Sequence, residues 1–335
     1  MPKSSPAVRR TPWPPCTVLD KPDELQDRQF FERSVLSPLR YPGAKRQLTT
    51  VIESIIKANV PPPRLFVEPF CGGATTALRM AGGGVVEHVI FADADPLVAA
   101  FWYTAAFDTS WLINRMWEEK ITVDRWDWWR ASRPRSRRDL ALKCLILNRT
   151  TFSGILHGRA GPIGGRSQKS QYKIDCRFGR EGLQRRIRAV GELADTGRLL
   201  DVWNSDWRST LARIRTSFSY LDPSEISVYL DPPYVNKAEY LYEWSFDSKN
   251  HMELAQELRN ADQYRWLLSY DDNPIVRGLY PSRMDRHLLL VPHRYTAAGL
   301  ASRSERDELL VTNYVDLPES GRFKVLDEDP NSSSR

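Results

Sequence analysis

Short apolar runs recur along this chain, and the longer stretches between them carry apolar residues at every third or fourth position. Runs rich in β-branched and aromatic side chains predict buried strands, and helical spacing predicts amphipathic helices. Strands are predicted at Arg64 to Glu68, Val85 to Phe91, Arg198 to Trp203, Ile226 to Leu230, Tyr264 to Tyr270, His287 to Val291 and Glu308 to Asn313. Helices fall between them. Leu48, Val51, Ile52, Ile55 and Ile56 share one helix face, and further helices are predicted after Gly73, at Pro96 to Phe107, Leu140 to Leu147, Arg180 to Leu193, after Trp207 and at Met252 to Arg259. Strands alternating with helices predict an α/β fold with a doubly wound sheet.

The two ends break the pattern. Residues 1–35, with prolines at 2, 6, 12, 14 and 15 and no periodicity, are read as a flexible arm, and 319–335 as a disordered tail. Between them, 36–105 and 196–318 carry the alternating pattern, while 106–195 interrupts it.

Composition narrows the class. With 335 residues, 41% hydrophobic, the chain has enough apolar surface for a large core and is not a disordered protein. Cys16, Cys71, Cys144 and Cys176 lie far apart with no C-x-x-C pair, so neither a disulfide framework nor a metal site is predicted. Neither a signal-peptide apolar core nor a membrane-length apolar run is present, so a cytoplasmic location is expected.

Charge changes the picture more. Residues 106–190 hold 19 Lys and Arg against 8 Asp and Glu, a surplus of 11 in a chain whose net charge is +6. Trp111, Trp117, Trp126, Trp128 and Trp129 lie in the same segment. Cations interleaved with aromatics suit a nucleic-acid backbone and its bases. Arg149, Thr151, Ser153, His157, Arg159 and Arg166, in predicted loops here, are candidate DNA contacts.

Three strand ends carry candidate chemistry. Asp231-Pro232-Pro233-Tyr234 follows an apolar strand, and the two prolines forbid both continued pairing and helix. This stiff corner offers a carboxylate, carbonyls and an aromatic face, which suit an exocyclic amine on a planar base. Glu68 leads into Pro69-Phe70-Cys71-Gly72-Gly73, a glycine turn opening a helix, and Asp93 ends the next strand 20 residues beyond Gly73. A glycine turn and an acid so placed suit an adenosine-bearing ligand, the acid taking the ribose hydroxyls. Upstream, Arg40-Tyr-Pro-Gly-Ala-Lys45 is a Pro-Gly turn whose free amides and lysine suit a ligand carboxylate.

Taken together, Arg40 to Lys45, Phe66 to Gly73, Ala92-Asp93, Leu147-Asn-Arg-Thr-Thr-Phe-Ser-Gly154 and Asp231 to Tyr234 resemble, in order, the Dam-type D12 class DNA adenine-N6 methyltransferases of the α arrangement. The resemblance implies a Rossmann-like S-adenosylmethionine-dependent methyltransferase sheet, seven strands with one antiparallel, and an inserted, mostly helical target-recognition domain. That insert coincides with the basic segment 106–195. Carried over by position, Tyr41 and Lys45 would line the methionine end of S-adenosylmethionine, Glu68 and Phe70 through Gly72 and Gly73 its middle, Asp93 the ribose, and Asp206 and Trp207 the adenine. Asp231, Pro232, Pro233 and Tyr234 would hold a target adenine extruded from duplex DNA. The resemblance also implies an orphan enzyme or one paired with a restriction or defence nuclease. Ser153 to His157 depart from the family's Asn-Gly-Leu pattern, so a GATC specificity does not transfer. The same corner suits N4 of cytosine or an amine in RNA, and a DNA-binding protein on a decayed fold is the reading from another class.

Overall fold

The computed structural model describes residues 36–40, 46–233, 246–281, 286–294 and 305–326. Tyr41, Lys45 and Tyr234, each singled out above, lie outside them.

Eight strands, β1 (Leu65–Pro69), β2 (His88–Asp93), β3 (Leu199–Asn204), β4 (Ile226–Leu230), β5 (Arg265–Asp271), β6 (His287–Arg294), β7 (Glu305–Thr312) and β8 (Lys324–Val325), form one sheet. Their order is β3-β2-β1-β4-β5-β7-β6-β8. β3 through β5 pair in parallel, β7 runs antiparallel between β5 and β6, and β8 runs antiparallel to β6. The sheet therefore exceeds the predicted seven strands by one, and two of its strands are antiparallel rather than one. The extra strand comes from the stretch read as a disordered tail, where Lys324 and Val325 pair with Leu290 and Leu289. Two residues are too few to leave a period in the sequence, and register on β6 supplies the order instead.

Alternation along each strand sorts the core into two layers. Leu65 and Val67 of β1, Val228 and Leu230 of β4 and Leu268 of β5 face α8 (Trp207–Ser217), α9 (Ser248–Arg259) and α10 (Pro274–Leu279). Phe66, Phe91, Tyr229 and Leu267 face the opposite way, towards α1 (Arg46–Ala58), α2 (Thr75–Gly82) and α3 (Pro96–Phe107).

The interrupting segment 106–195 folds as α4 (Thr109–Glu118), α5 (Val123–Ala131), α6 (Arg137–Thr150) and α7 (Arg180–Asp195). α6 and α7 pack on α3, and their Leu145 and Ile187 lie in one continuous core with Phe101 and Phe66. The reason is in α3, which buries nine of its twelve residues and is apolar all round. Such a helix needs cover on the side away from the sheet as well. α6 also runs through Asn148, Arg149 and Thr150, which the sequence reading assigned to a loop.

Candidate active site

β2, β1 and β4 are neighbours in the sheet, and the border between β1 and β4 is where the connecting helices change face. In an open α/β sheet, ligands settle at the carboxyl ends of the strands beside such a border. Three carboxylates end the strands there.

The glycine turn is wound tightly: Phe70, Gly72 and Ala74 have φ of 62°, 44° and 45°. Non-glycine residues seldom adopt this region, and they persist where surrounding bonds over-determine them. Here the Cys71 amide donates to the Ala92 carbonyl at 3.0 Å, the Gly72 amide to Asp93 Oδ2 at 2.9 Å, and the Trp102 indole to the Gly72 carbonyl at 2.7 Å. Asp93 Oδ1 accepts from the Asp95 amide at 2.9 Å, and Asp95 in turn caps α3 through the Leu97 amide. Glu68 Oε2 accepts from the Ala77 amide in the first turn of α2 at 2.8 Å.

Burial pushes the Glu68 carboxyl up to about 8, with Asp231 and Asp93 adding repulsion. Burial and the nearby Asp95 raise Asp93 to about 7, against the pull of its backbone donors. The repulsion that Asp231 exerts on Glu68 links the Asp-Pro-Pro corner to the glycine turn across adjacent strands. On the far side of β4, Leu230 pairs with Leu268, and the next residues along bond directly: Ser269 Oγ donates to Asp231 Oδ1 at 2.9 Å. Pro232 is buried and Pro233 half-buried.

The nucleoside-facing candidates at β3 are placed differently. Asp206 is exposed and accepts from the Ser209 amide as the N-cap of α8. Trp207 is buried, its indole N–H has no partner, and the Arg208 guanidinium lies 4.4 Å from its ring centre. Asn204 and Ser205 tie the end of β3 to the Asp93 carbonyl.

The candidate DNA contacts separate by burial. Arg149 is taken out of any contact surface: its Nε and Nη2 donate to the Pro38 carbonyl, and burial with Arg186, Arg40 and Arg177 nearby pulls its guanidinium down to about 9. Thr151 is likewise buried, its hydroxyl accepting from the Trp126 indole at 2.9 Å. Arg149 lies in the last turn of α6, and Thr151 is the extended residue that ends it and bridges to Pro162, so their polar groups serve the insert's own packing. Ser153, at φ 57°, sits in a half-buried turn. His157 Nε2 meets Asp95 Oδ2. Arg159 and Arg166 are exposed and line an open groove of about 680 Å³ with Trp126, Arg130 and Pro162. Arg166 is held by both oxygens of Asp127. Sequence reasoning missed Phe152, which is 67% exposed on the turn between Thr151 and Ser153. An aromatic in a run of mixed residues carries no sign of which way it will face.

The donor set fits a cationic adenosine ligand. Glu68 and Asp93 are buried beside the tightly wound turn, and neither is paired with a cation among the described residues. An ammonium and ribose hydroxyls would supply the charge and further donors that these two carboxylates lack. Strand order, the antiparallel β7, the glycine turn after β1 and the acid ending β2 are those of the Rossmann-like methyltransferase sheet that the sequence resemblance implies. Residues 41–158 match the model of the D12 class N6 adenine-specific DNA methyltransferase family. No curated protein matches the chain in sequence. Among solved structures it is similar to an S-adenosylmethionine-dependent methyltransferase from Agrobacterium tumefaciens, at 9% identity and a TM-score of 0.34, covering 82% of this chain and 62% of that one. It is also similar to the rRNA methyltransferase aviRa from Streptomyces viridochromogenes, at 13% identity and a TM-score of 0.36, covering 80% and 84%.

Proposed function

We propose that the protein methylates N6 of adenine in duplex DNA. The observation that carries this is the adjacency of two strand ends: the Asp231-Pro232-Pro233 corner after β4 and the glycine turn after β1, whose strands pair directly. Paired strands lie about 4.8 Å apart, so an amine held at one corner is within reach of a ligand held at the other.

When bound, S-adenosylmethionine supplies an electron-poor methyl group on its sulfonium. Glu68, the turn through Gly72 and Gly73, and Asp93 hold that ligand, with Tyr41 and Lys45 at its methionine end. Asp231 and the Pro232 carbonyl accept hydrogen bonds from the target amine, which draws the nitrogen lone pair out of the ring. Asp231 also stands to take the proton that the amine sheds. Nothing in this step needs a covalent enzyme intermediate, because it depends on positioning and on oriented acceptors. A base inside a duplex cannot reach the site, so the target is extruded at a cost of a few kcal/mol. The exposed Phe152 and the groove beside Arg159 and Arg166 supply stacking and phosphate contacts on the basic segment.

The test is to incubate duplex DNA with labelled S-adenosylmethionine and digest the product to nucleosides. N6-methyladenine is the expected product. Label found only as N4-methylcytosine overturns the base assignment, and DNA binding without any transfer overturns the enzymatic reading.

A further inference from the structure

Behind the Asp-Pro-Pro corner, two buried hydroxyls form a chain. Tyr229 on β4 and Ser269 on β5 are both sealed from solvent. The Tyr229 hydroxyl lies 2.9 Å from Ser269 Oγ, and Ser269 Oγ lies 2.9 Å from Asp231 Oδ1. A serine has one proton to give, and an ionised carboxylate can only accept, so Ser269 donates to Asp231. The Tyr229 hydroxyl must then donate to Ser269. Burial, followed by the nearby Asp231, pushes the Tyr229 hydroxyl well above its ordinary range, so it keeps its proton as this direction requires.

Strand geometry explains how the chain arises. Leu230 pairs with Leu268 on the parallel neighbour, which sets Asp231 and Ser269 side by side. Tyr229 points to the α1 side of the sheet and Leu230 to the other, so the tyrosine and the aspartate emerge on the same face. Two donors in series polarise one another and end on a charge, the stronger kind of hydrogen bond.

We infer that Ser269, backed by Tyr229, is a positioning residue for Asp231, fixing the plane of the carboxylate that receives the target amine. This rests on the reading of Asp231 as the amine's acceptor. A carboxylate after a strand end rotates about two bonds, and the donated hydroxyl restricts it to one orientation. Transfer then depends on the chain while binding does not, because both hydroxyls are sealed behind the corner rather than exposed on it.

The experiment compares Ser269→Ala, Ser269→Thr and Tyr229→Phe with wild type and Asp231→Ala, using full-length protein and duplex DNA. Steady-state kinetics, DNA affinity and the fluorescence of 2-aminopurine at the target position are measured. Ser269→Ala is expected to lower kcat roughly tenfold with both KM values and the base-extrusion signal kept. That split between kcat and KM marks positioning, since a merely structural loss would lower affinity and the extrusion signal as well. Ser269→Thr should restore kcat, and Tyr229→Phe should lower it by less. Wild-type kcat in Ser269→Ala, with Asp231→Ala inactive, overturns the positioning role and leaves the reading of Asp231 intact. Full turnover in Asp231→Ala overturns that reading itself.

Discussion

His157 Nε2 lies 2.7 Å from Asp95 Oδ2, across 62 positions of chain, and joins the basic segment to the end of β2. The Asp95 amide holds Asp93, and Asp93 holds the Gly72 amide, so two further bonds carry the contact to the glycine turn. His157→Ala should therefore weaken S-adenosylhomocysteine binding about three- to tenfold, the worth of one partly exposed bond. Titration calorimetry without DNA checks this, and an unchanged dissociation constant would detach His157 from the ligand pocket.

The acidic pocket makes stability depend on pH. Glu68 and Asp93 are raised to about 8 and about 7 from ordinary values of 4.5 and 3.8, so between those limits the folded chain keeps protons that the unfolded chain has lost. Their contribution is complete below the unfolded values and is lost as pH rises through 7 to 8. Glu68→Gln keeps an acceptor for the Ala77 amide and removes the ionisation. Its Tm should exceed that of wild type at about pH 9 and approach it at about pH 5. Parallel Tm curves for the two proteins would contradict the raised value of Glu68.

Gly154 has φ +76°, and a Cβ there would stand 2.6 Å from the Arg40 carbonyl oxygen. Asn148 grips the same stretch, accepting from the Arg40 amide at 2.6 Å and donating to the Arg40 carbonyl at 2.7 Å. Gly154→Ala forces both an unfavourable backbone region and a clash with backbone, for a loss of about 1–3 kcal/mol or more. Chemical denaturation measures it. A variant as stable as wild type would show that residues 38–40 yield freely.

Phe152 and Arg159 should weaken DNA binding in different ways. Removing an exposed stacking ring costs about 1–3 kcal/mol, so Phe152→Ala should lower affinity by about 5- to 150-fold at any salt concentration. Arg159→Ala removes a phosphate-range cation, so it should reduce the slope of log K against log salt by about one. Fluorescence anisotropy over a salt series separates the two, and equal slopes for wild type and Arg159→Ala would take that arginine off the phosphate path.

Much of this was legible beforehand because it is local. The helix Pro96–Phe107 follows from an aspartate cap, a proline at the first turn and an unbroken apolar run, and its bounds agree with the prediction. The burial of β4 and its stop at Leu230, just before the Asp-Pro-Pro corner, follow from composition alone. Arg149 was misread because a cation beside glycine, serine and threonine looks like a surface loop. What buries it is the backbone of Pro38, more than a hundred positions away. β8 was invisible for a similar reason, since its order comes from a partner strand.

Periodicity and stiff residue types, then, were enough to specify strands, helices and the chemistry at three strand ends, because those properties depend on near neighbours in the chain. Tertiary structure alone decided which carboxylates are buried deeply enough to hold their protons more tightly, which arginine is used for packing, and which hydroxyls stand behind Asp231. These depend on burial and on distances between remote segments, and a linear pattern of residues contains neither.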